Sequence, residues 1–257
     1  MSGPLQTIIR DLGRKRGRER RGLTLAEGVR LVEEAIAAGI ALRGAAVSPA
    51  LETTARGHSL KSALTARGVR LQEVSDAELA DLADTEQPQG VVAVIEPRRW
   101  ELGDIRVAPG SVILVLDAVQ DPGNVGTMLR TALGLGAAGA VALKGTAELT
   151  SPKVLRGSMG ALFRLPSVAS DAEEFLRWAR EHEVRILVTA ADGEPLHAER
   201  ASRTPVAVVV GNEGAGVGAT MAAAADRRVA IPLAPGAESL NVAVAAGIFL
   251  HEVTRAD

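Results

Sequence analysis

"SVILVLDAVQDPGNVGTMLRTA", residues 111–132, decides the fold class. Its first nine residues, SVILVLDAV, are almost continuously apolar, which is the pattern of a strand covered on both faces in a parallel sheet rather than the alternation of a half-exposed one. DPGN (121–124) is turn-forming: Pro122 and Gly123 read as the turn and Asn124 as the N-cap of the helix that follows. Beyond it Val125, Met128, Leu129, Ala132 and Leu133 recur at helical spacing as a buried stripe, and Thr127, Arg130 and Thr131 fall on the opposite face. A guanidinium is therefore expected on the first turns of a helix at the carboxyl end of a parallel strand, the edge where open α/β sheets place their sites.

The same grammar continues on both sides. RILVTA (185–190) and VAVVVG (206–211) are further buried strands, and DAEEFLRWAREH (171–182) and SLNVAVAAGIFLHEVTR (239–255) are helices. Towards the N-terminus a basic helix is followed by alternation: EGVRLVEEAIAAG (27–39) helical, IALRGAAVS (40–48) extended, LKSALTARG (60–68) helical, VRLQEV (69–74) extended, DAELADLA (76–83) helical, GVVAVIE (90–96) extended. PRRWELGDIRVAPG (97–110) mixes charge with Pro and Gly and has no apolar period. The expected organisation is α/β throughout: a small domain at 1–97, a linker at 98–110 and a larger, mostly parallel domain at 111–257.

Composition narrows the chemistry. The chain has 257 residues, 47% of them hydrophobic, enough for a substantial core in each domain. With no Cys, disulfides and thiolate catalysis are excluded, and His58, His182, His197 and His251 show no i, i+4 pairing, so no metal site is expected. The first residues lack an apolar signal region, and the apolar run VAVAAGIFL (242–250) is too short to span a bilayer, so a cytoplasmic protein is expected. Net charge is only −2, yet residues 10–21 hold seven bases against Asp11 and Glu19. A solvated helix face would explain that run. A polyanion contact through Arg14, Lys15, Arg16, Arg18, Arg20 and Arg21 would explain it too. No Tyr, three Phe and two Trp leave little to stack on bases, so nucleic-acid binding would lean on arginine and shape.

GLGAAG (134–139) fits the dinucleotide fingerprint G-x-G-x-x-G, but a helix precedes it and the strand AVAL (140–143) follows, the reverse of the order that brings a pyrophosphate to a helix N-terminus. These glycines end a helix, and a nicotinamide-dependent dehydrogenase is disfavoured. VVVGNEGAGVG (208–218) is a strand, a Gly-rich loop and a helix start; four glycines suggest close approach of backbone to a ligand, and Glu213 speaks for a cationic or adenosine-type ligand over a phosphate. In IPLAPGAESLNVAVAAG (231–247), Ser239 is a candidate helix cap with Asn241 in the first turn. The helix beyond is apolar nearly all round, so it needs burial within the domain or against a partner subunit.

Taken together and in this order, DPGNVGTMLRTA, VVGNEGAGV and IPLAPGAESLNVAVA resemble the three motifs of the SpoU (TrmH-type) family of SPOUT-class RNA ribose 2′-O-methyltransferases. LAEGVRLVEEAI and TEQPQGVVAV are similar to that family's L30e-like substrate-binding domain, so the resemblance spans nearly the whole chain. It implies a SPOUT α/β-knot with a deep C-terminal trefoil knot, a homodimer, and S-adenosyl-L-methionine held by Thr189, Gly211, Asn212, Gly216, Ile231, Leu233, Ser239 and Leu240. It implies a functional polar set of Arg130, Asn124, Glu213, Ser239 and Asn241, and an RNA substrate, 23S ribosomal RNA before tRNA. Ala243 stands where many members have Ser, and Pro235 where Gly is common. A noncatalytic RNA-binding or ribosome-assembly protein retaining the fold is the competing expectation.

Overall fold

The computed structural model describes residues 5–196 and 204–254; His197 and the last residue of the expected C-terminal helix, Arg255, lie outside them. In chain order the helices are α1 (Leu5–Leu12), α2 (Lys15–Arg21), α3 (Val29–Ala37), α4 (Ala55–Ala66), α5 (Asp76–Leu82), α6 (Pro122–Gly134), α7 (Pro152–Ser158), α8 (Ala172–Glu181), α9 (Ala219–Ala223) and α10 (Val242–Thr254). The strands are β1 (Thr24–Glu27), β2 (Ala41–Val47), β3 (Leu71–Glu73), β4 (Val91–Glu96), β5 (Val112–Leu116), β6 (Gly139–Leu143), β7 (Ser167–Ser170), β8 (Arg185–Pro195), β9 (Val206–Val210) and β10 (Arg227–Ala230).

The chain forms two compact units, residues 1–98 with 150–163, and 99–149 with 164–257. The first carries a mixed sheet of order β1-β4-β2-β3, in which β4 runs antiparallel to both neighbours and β3 runs parallel to β2. Leu5, Ile8, Ile9 and Leu12 of α1 are all buried against this sheet. Strand β1 lies where the sequence pattern suggested no strand, because all four of its residues are covered and its apolar run is too short to show a period. The single basic helix expected over 10–21 is two helices broken at Gly13 and Arg14. Arg18 fastens the break: it is buried, and its Nη1 donates to the carbonyls of Leu12 at 2.9 Å and Gly13 at 3.2 Å.

The second unit holds a six-stranded sheet of order β10-β8-β9-β5-β6-β7, parallel at every pairing. Its central strands β5, β6 and β9 are buried at every position, as continuous apolar runs demand. Helix α6 inserts Val125, Met128, Leu129 and Ala132 into the core, and α10 packs against α6, β9 and β5 through its buried Ala243, Ala246, Phe249 and Leu250.

Packing differs from the sequence expectation at two places. Residues 99–110 belong to the second unit: Ile105 is 3% exposed, and Trp100, Leu102 and Val107 cover the same core, apolar groups whose irregular spacing hid their role. Residues 150–163 belong to the first unit. The Thr24 hydroxyl donates to the Thr150 carbonyl at 2.6 Å, and Arg156 reaches Glu27 at 3.4 Å and Asp84 at 3.0 Å.

Candidate functional site

Three loops meet at the carboxyl edge of the parallel sheet. The first follows β5 and leads into α6, which begins earlier than its turn-like sequence suggested. Asp121, not Asn124, is the N-cap: its Oδ1 accepts the Asn124 backbone N–H at 2.7 Å, while Pro122 supplies the preset φ of the first helical position. Asn124 is thereby left one turn in, with its carboxamide free for other partners.

The second loop follows β9. Gly211 lies so close to the loop's return that a Cβ there would sit 2.1 Å from the Gly216 carbonyl carbon and 2.2 Å from the Val217 nitrogen. Asn212 closes the loop: it exchanges backbone hydrogen bonds with Gly216 at 2.9 Å, and its Oδ1 accepts from the amides of Gly214 and Ala215, each at 3.0 Å. Gly216 provides the left-handed turn, at φ 71°.

The third loop joins β10 to α10. Here too the cap is one the sequence pattern misassigned: α10 starts at Val242, and Asn241 Oδ1 accepts the amides of Ala243 at 2.9 Å and Val244 at 3.3 Å. Ser239 lies before the helix, in the loop.

A polar chain ties the three loops. Glu213 accepts from the Asn124 Nδ2 at 3.1 Å and from the backbone amides of Gln120 and Asp121, each at 3.3 Å; Asn124 Oδ1 in turn accepts from Asn241 Nδ2 at 3.1 Å. Burial works to raise the Glu213 carboxyl pKa, but hydrogen bonds from its own amide, Asn124, Gln120 and Asp121 outweigh it and hold the group below the ordinary carboxylate value. Its contribution to the folded site is therefore present above the ordinary range and lost only as pH falls through the depressed value.

Two anchors were not visible as functional in the sequence. Asp117 Oδ2 accepts the Gly218 amide at 2.7 Å, and the carbonyl of Ala118, a non-glycine residue at φ 58°, accepts Asn212 Nδ2 at 3.0 Å. Both lie in an apolar strand end that reads as plain core. Only the lone acid in SVILVLDAV could have signalled them.

The second and third loops, with residues 189–191 of β8, line a cavity of about 480 Å³. All eight residues expected around the cofactor line it: Thr189, Gly211, Asn212, Gly216, Ile231, Leu233, Ser239 and Leu240. Glu213 and Asn241 line it as well, with Glu238 and Phe249, which the sequence reading did not include. Asn124 braces the wall from behind. Arg130 is not among the lining residues; it is exposed on α6, and its guanidinium makes no hydrogen bond or ion pair to the described residues.

Residues 111–251 match the SpoU rRNA Methylase family. The chain belongs to that family. The N-terminal part of this SpoU-family protein, residues 7–93, matches the MRM3-like substrate binding domain. Over 93% of its length it is 32% identical to the 23S rRNA (guanosine(2553)-2′-O)-methyltransferase RlmP of Bacillus subtilis, covering 91% of that protein. Among solved structures, the AdoMet-bound rRNA methyltransferase from Sinorhizobium meliloti superposes with a TM-score of 0.86 at 31% identity, over 98% of this chain and 95% of that one. The SpoU methyltransferase AviRb from Streptomyces viridochromogenes, in complex with AdoMet, superposes with a TM-score of 0.85 at 27% identity and 98% coverage of both chains.

The basic cluster of this SpoU-family chain divides. Arg14, Lys15 and Arg16 are exposed, Lys15 3.7 Å from Glu19. Arg20 and Arg21 both bind Asp11, at 2.8 Å and 2.5 Å, and hold its carboxyl below the ordinary value. Arg18, expected among the RNA contacts, is instead the buried fastener between α1 and α2. Among the described residues no His, Asp and Glu cluster could hold a metal ion, and no helix is long and apolar enough to cross a membrane.

Proposed function

We propose that the protein transfers a methyl group from S-adenosylmethionine to a ribose 2′-hydroxyl of 23S ribosomal RNA. One observation carries the reading: the loops after β9 and β10, with residues 189–191 of β8, line one cavity at the carboxyl edge of the parallel sheet, and Asn124 of the first loop ties the two loops together through Glu213 and Asn241. The lining fits the cofactor. Ile231, Leu233, Leu240 and Phe249 offer apolar cover for an adenine and a methionine chain, Gly211 allows backbone contact, and the Glu213 and Glu238 carboxylates suit a cationic sulfonium or ammonium. When bound, the cofactor supplies an electrophilic methyl group, which the 2′-oxygen takes as the carbon–sulfur bond breaks and the hydroxyl proton is released.

What the protein adds is alignment and charge. Holding the sugar oxygen in line with the methyl carbon converts a bimolecular step into an effectively unimolecular one. The hydroxyl is a very weak acid, so its developing negative charge needs a fixed cation, and Arg130 is the residue we assign to it. A guanidinium has no lone pair to offer as a base, so Arg130 stabilises the alkoxide and orients the adjoining phosphate rather than accepting the proton. Asn124 keeps the Arg130 helix and the other two loops in register. Ser239 and Asn241 order the third loop.

A second copy of the chain completes the picture. Leu240, Val244 and Ile248 recur every fourth residue and are 38–53% exposed, an apolar stripe that a symmetric partner would cover. The chain also leaves the edge strand β10 and returns to mid-sheet as α10, a path that supports the expected trefoil knot despite the general rarity of knots. Exposed Arg14, Lys15 and Arg16 supply the phosphate contacts, and the expected compartment is the cytoplasm.

Mass mapping of ribose methylation in ribosomal and transfer RNA, from cells with and without the gene, tests the activity. Loss of one methylated 23S nucleotide supports it. An unchanged map, with no calorimetric binding of S-adenosylmethionine, would leave only a noncatalytic RNA-binding role. Within this reading Asp117→Ala should weaken cofactor binding about tenfold, because it removes the charged acceptor of the Gly218 amide. Asp117→Asn, which keeps an acceptor oxygen, should recover most of that loss. Equal defects in the two variants would show that the hydrogen bond is not what matters.

A further inference from the structure

A second, smaller cavity of about 150 Å³ lies wholly within the first unit. Three stretches far apart in sequence line it: Glu27 to Leu31 where β1 passes into α3, Thr85 to Gln89 before β4, and Arg156 with Met159 around the end of α7. One wall is a finished network. Glu27, only 7% exposed, accepts the amides of Asp84 at 2.9 Å and Thr85 at 3.2 Å, the Thr85 hydroxyl, and Arg156 Nη1 at 3.4 Å; Arg156 Nη2 reaches Asp84 at 3.0 Å. That network needs no ligand to be satisfied.

The rest of the lining presents donors that no group among the described residues takes up. Arg30 and Gln87 are exposed at this cavity and donate to no acceptor among the described residues, and neither does the Gln89 amide nitrogen. Gln89 is nevertheless fixed, because its Oε1 accepts the Val29 amide at 3.1 Å. Arg30 stands in the first turn of α3, where the helix dipole disfavours a cation, and it has no acidic partner among the described residues to offset that cost. A residue kept against its local preference asks for a functional reason.

Charge balance and size select the ligand. Arg156 is already paired with Glu27 and Asp84, and with Arg30 added the two cations and two anions of this region balance, so a phosphate would gain little here. A guanidinium beside two carboxamides matches the acceptor-bearing edge of a nucleobase, and unpaired bases are what sequence-specific RNA readers bind. The volume lies below the several hundred Å³ typical of sites for larger ligands, and suits a single base. Arg30, Gln87 and Gln89 all fall within the residues that match a substrate binding domain.

We infer that this cavity takes one unpaired base of the RNA substrate, read on its hydrogen-bonding edge by Arg30, Gln87 and Gln89, an inference that rests on the ribose-methyltransferase reading above. Arg156 and Glu27 act as positioning residues that hold the loop carrying Gln87 and Gln89.

The test uses the full-length protein and an unmodified 23S ribosomal RNA transcript. Ultraviolet crosslinking followed by mass spectrometry should find a nucleotide attached within residues 28–31 or 85–89. Arg30→Ala and Gln87→Ala should each raise the dissociation constant for the transcript about tenfold, as loss of a base contact does, with the thermal midpoint and S-adenosylmethionine affinity unchanged. Arg30→Lys keeps the charge without the planar fork, so it should resemble Arg30→Ala. Wild-type affinity in Arg30→Lys, or in both Arg30→Ala and Gln87→Ala, overturns the inference. A wild-type protein that binds S-adenosylmethionine but not the transcript instead overturns the ribosomal RNA reading and takes this inference with it.

Discussion

Gly211→Ala is expected to abolish cofactor binding, weakening it by a hundredfold or more, and to lower global stability by about 3 kcal/mol. The added methyl would lie 2.1, 2.2 and 2.3 Å from the Gly216 carbonyl carbon, the Val217 nitrogen and the Gly216 oxygen. All three are backbone atoms, so no rotamer can relieve the clash. Either β9 or the returning loop must move, and movement breaks the paired Asn212–Gly216 hydrogen bonds that shape the cavity wall. Gly216→Ala is the control. That residue needs its left-handed φ of 71°, but a Cβ there would have open space around it, so the cost is conformational only, about 1–2 kcal/mol. Calorimetric titration with S-adenosylmethionine and urea unfolding separate the two. Near-normal affinity in Gly211→Ala, or equal defects in both variants, would show that loop closure does not govern the cavity.

The contrast between these glycines explains what was legible beforehand. The parallel sheet could be read from SVILVLDAV and VAVVVG because continuous burial leaves an unbroken apolar run, and the eight positions expected around a cofactor fall together on one cavity because the motif resemblance indicates which loops converge. Caps were less legible. Asp121, Asn124, Ser239 and Asn241 are all good capping types, and which of them caps depends on where each helix starts, a matter of one or two residues. Least legible was the allocation of residues 150–163 to the first unit, because the bond between Arg156 and Glu27 spans well over a hundred residues and leaves no local period. Asp117 hid for a related reason: a single acid at the end of a buried strand reads as a boundary, and its partner Gly218 lies on a loop a hundred residues on.

Arg130→Ala should lower turnover by on the order of a hundredfold or more while leaving the S-adenosylmethionine dissociation constant within about twofold of wild type. The reason for the split is position: Arg130 is exposed on α6 and does not line the cavity of its own chain, so its loss removes nothing from the cofactor's surroundings. Arg130→Lys should rescue little, since a point charge cannot hold an alkoxide and a phosphate oxygen at once as a planar fork does. If the guanidinium serves the partner's cavity across the apolar stripe of α10, two defective chains can complement each other. Ala191→Trp, at an exposed position on the cavity rim, should block the cofactor without disturbing the core. Neither Arg130→Ala nor Ala191→Trp alone should methylate, yet co-expression should restore about a quarter of wild-type sites, because half the dimers are mixed and each mixed dimer holds one intact pairing. Absence of complementation in verified mixed dimers would place Arg130 in service of its own chain. Full activity of Arg130→Ala alone would remove it from the reaction, and the developing charge on the sugar oxygen would then need another cation.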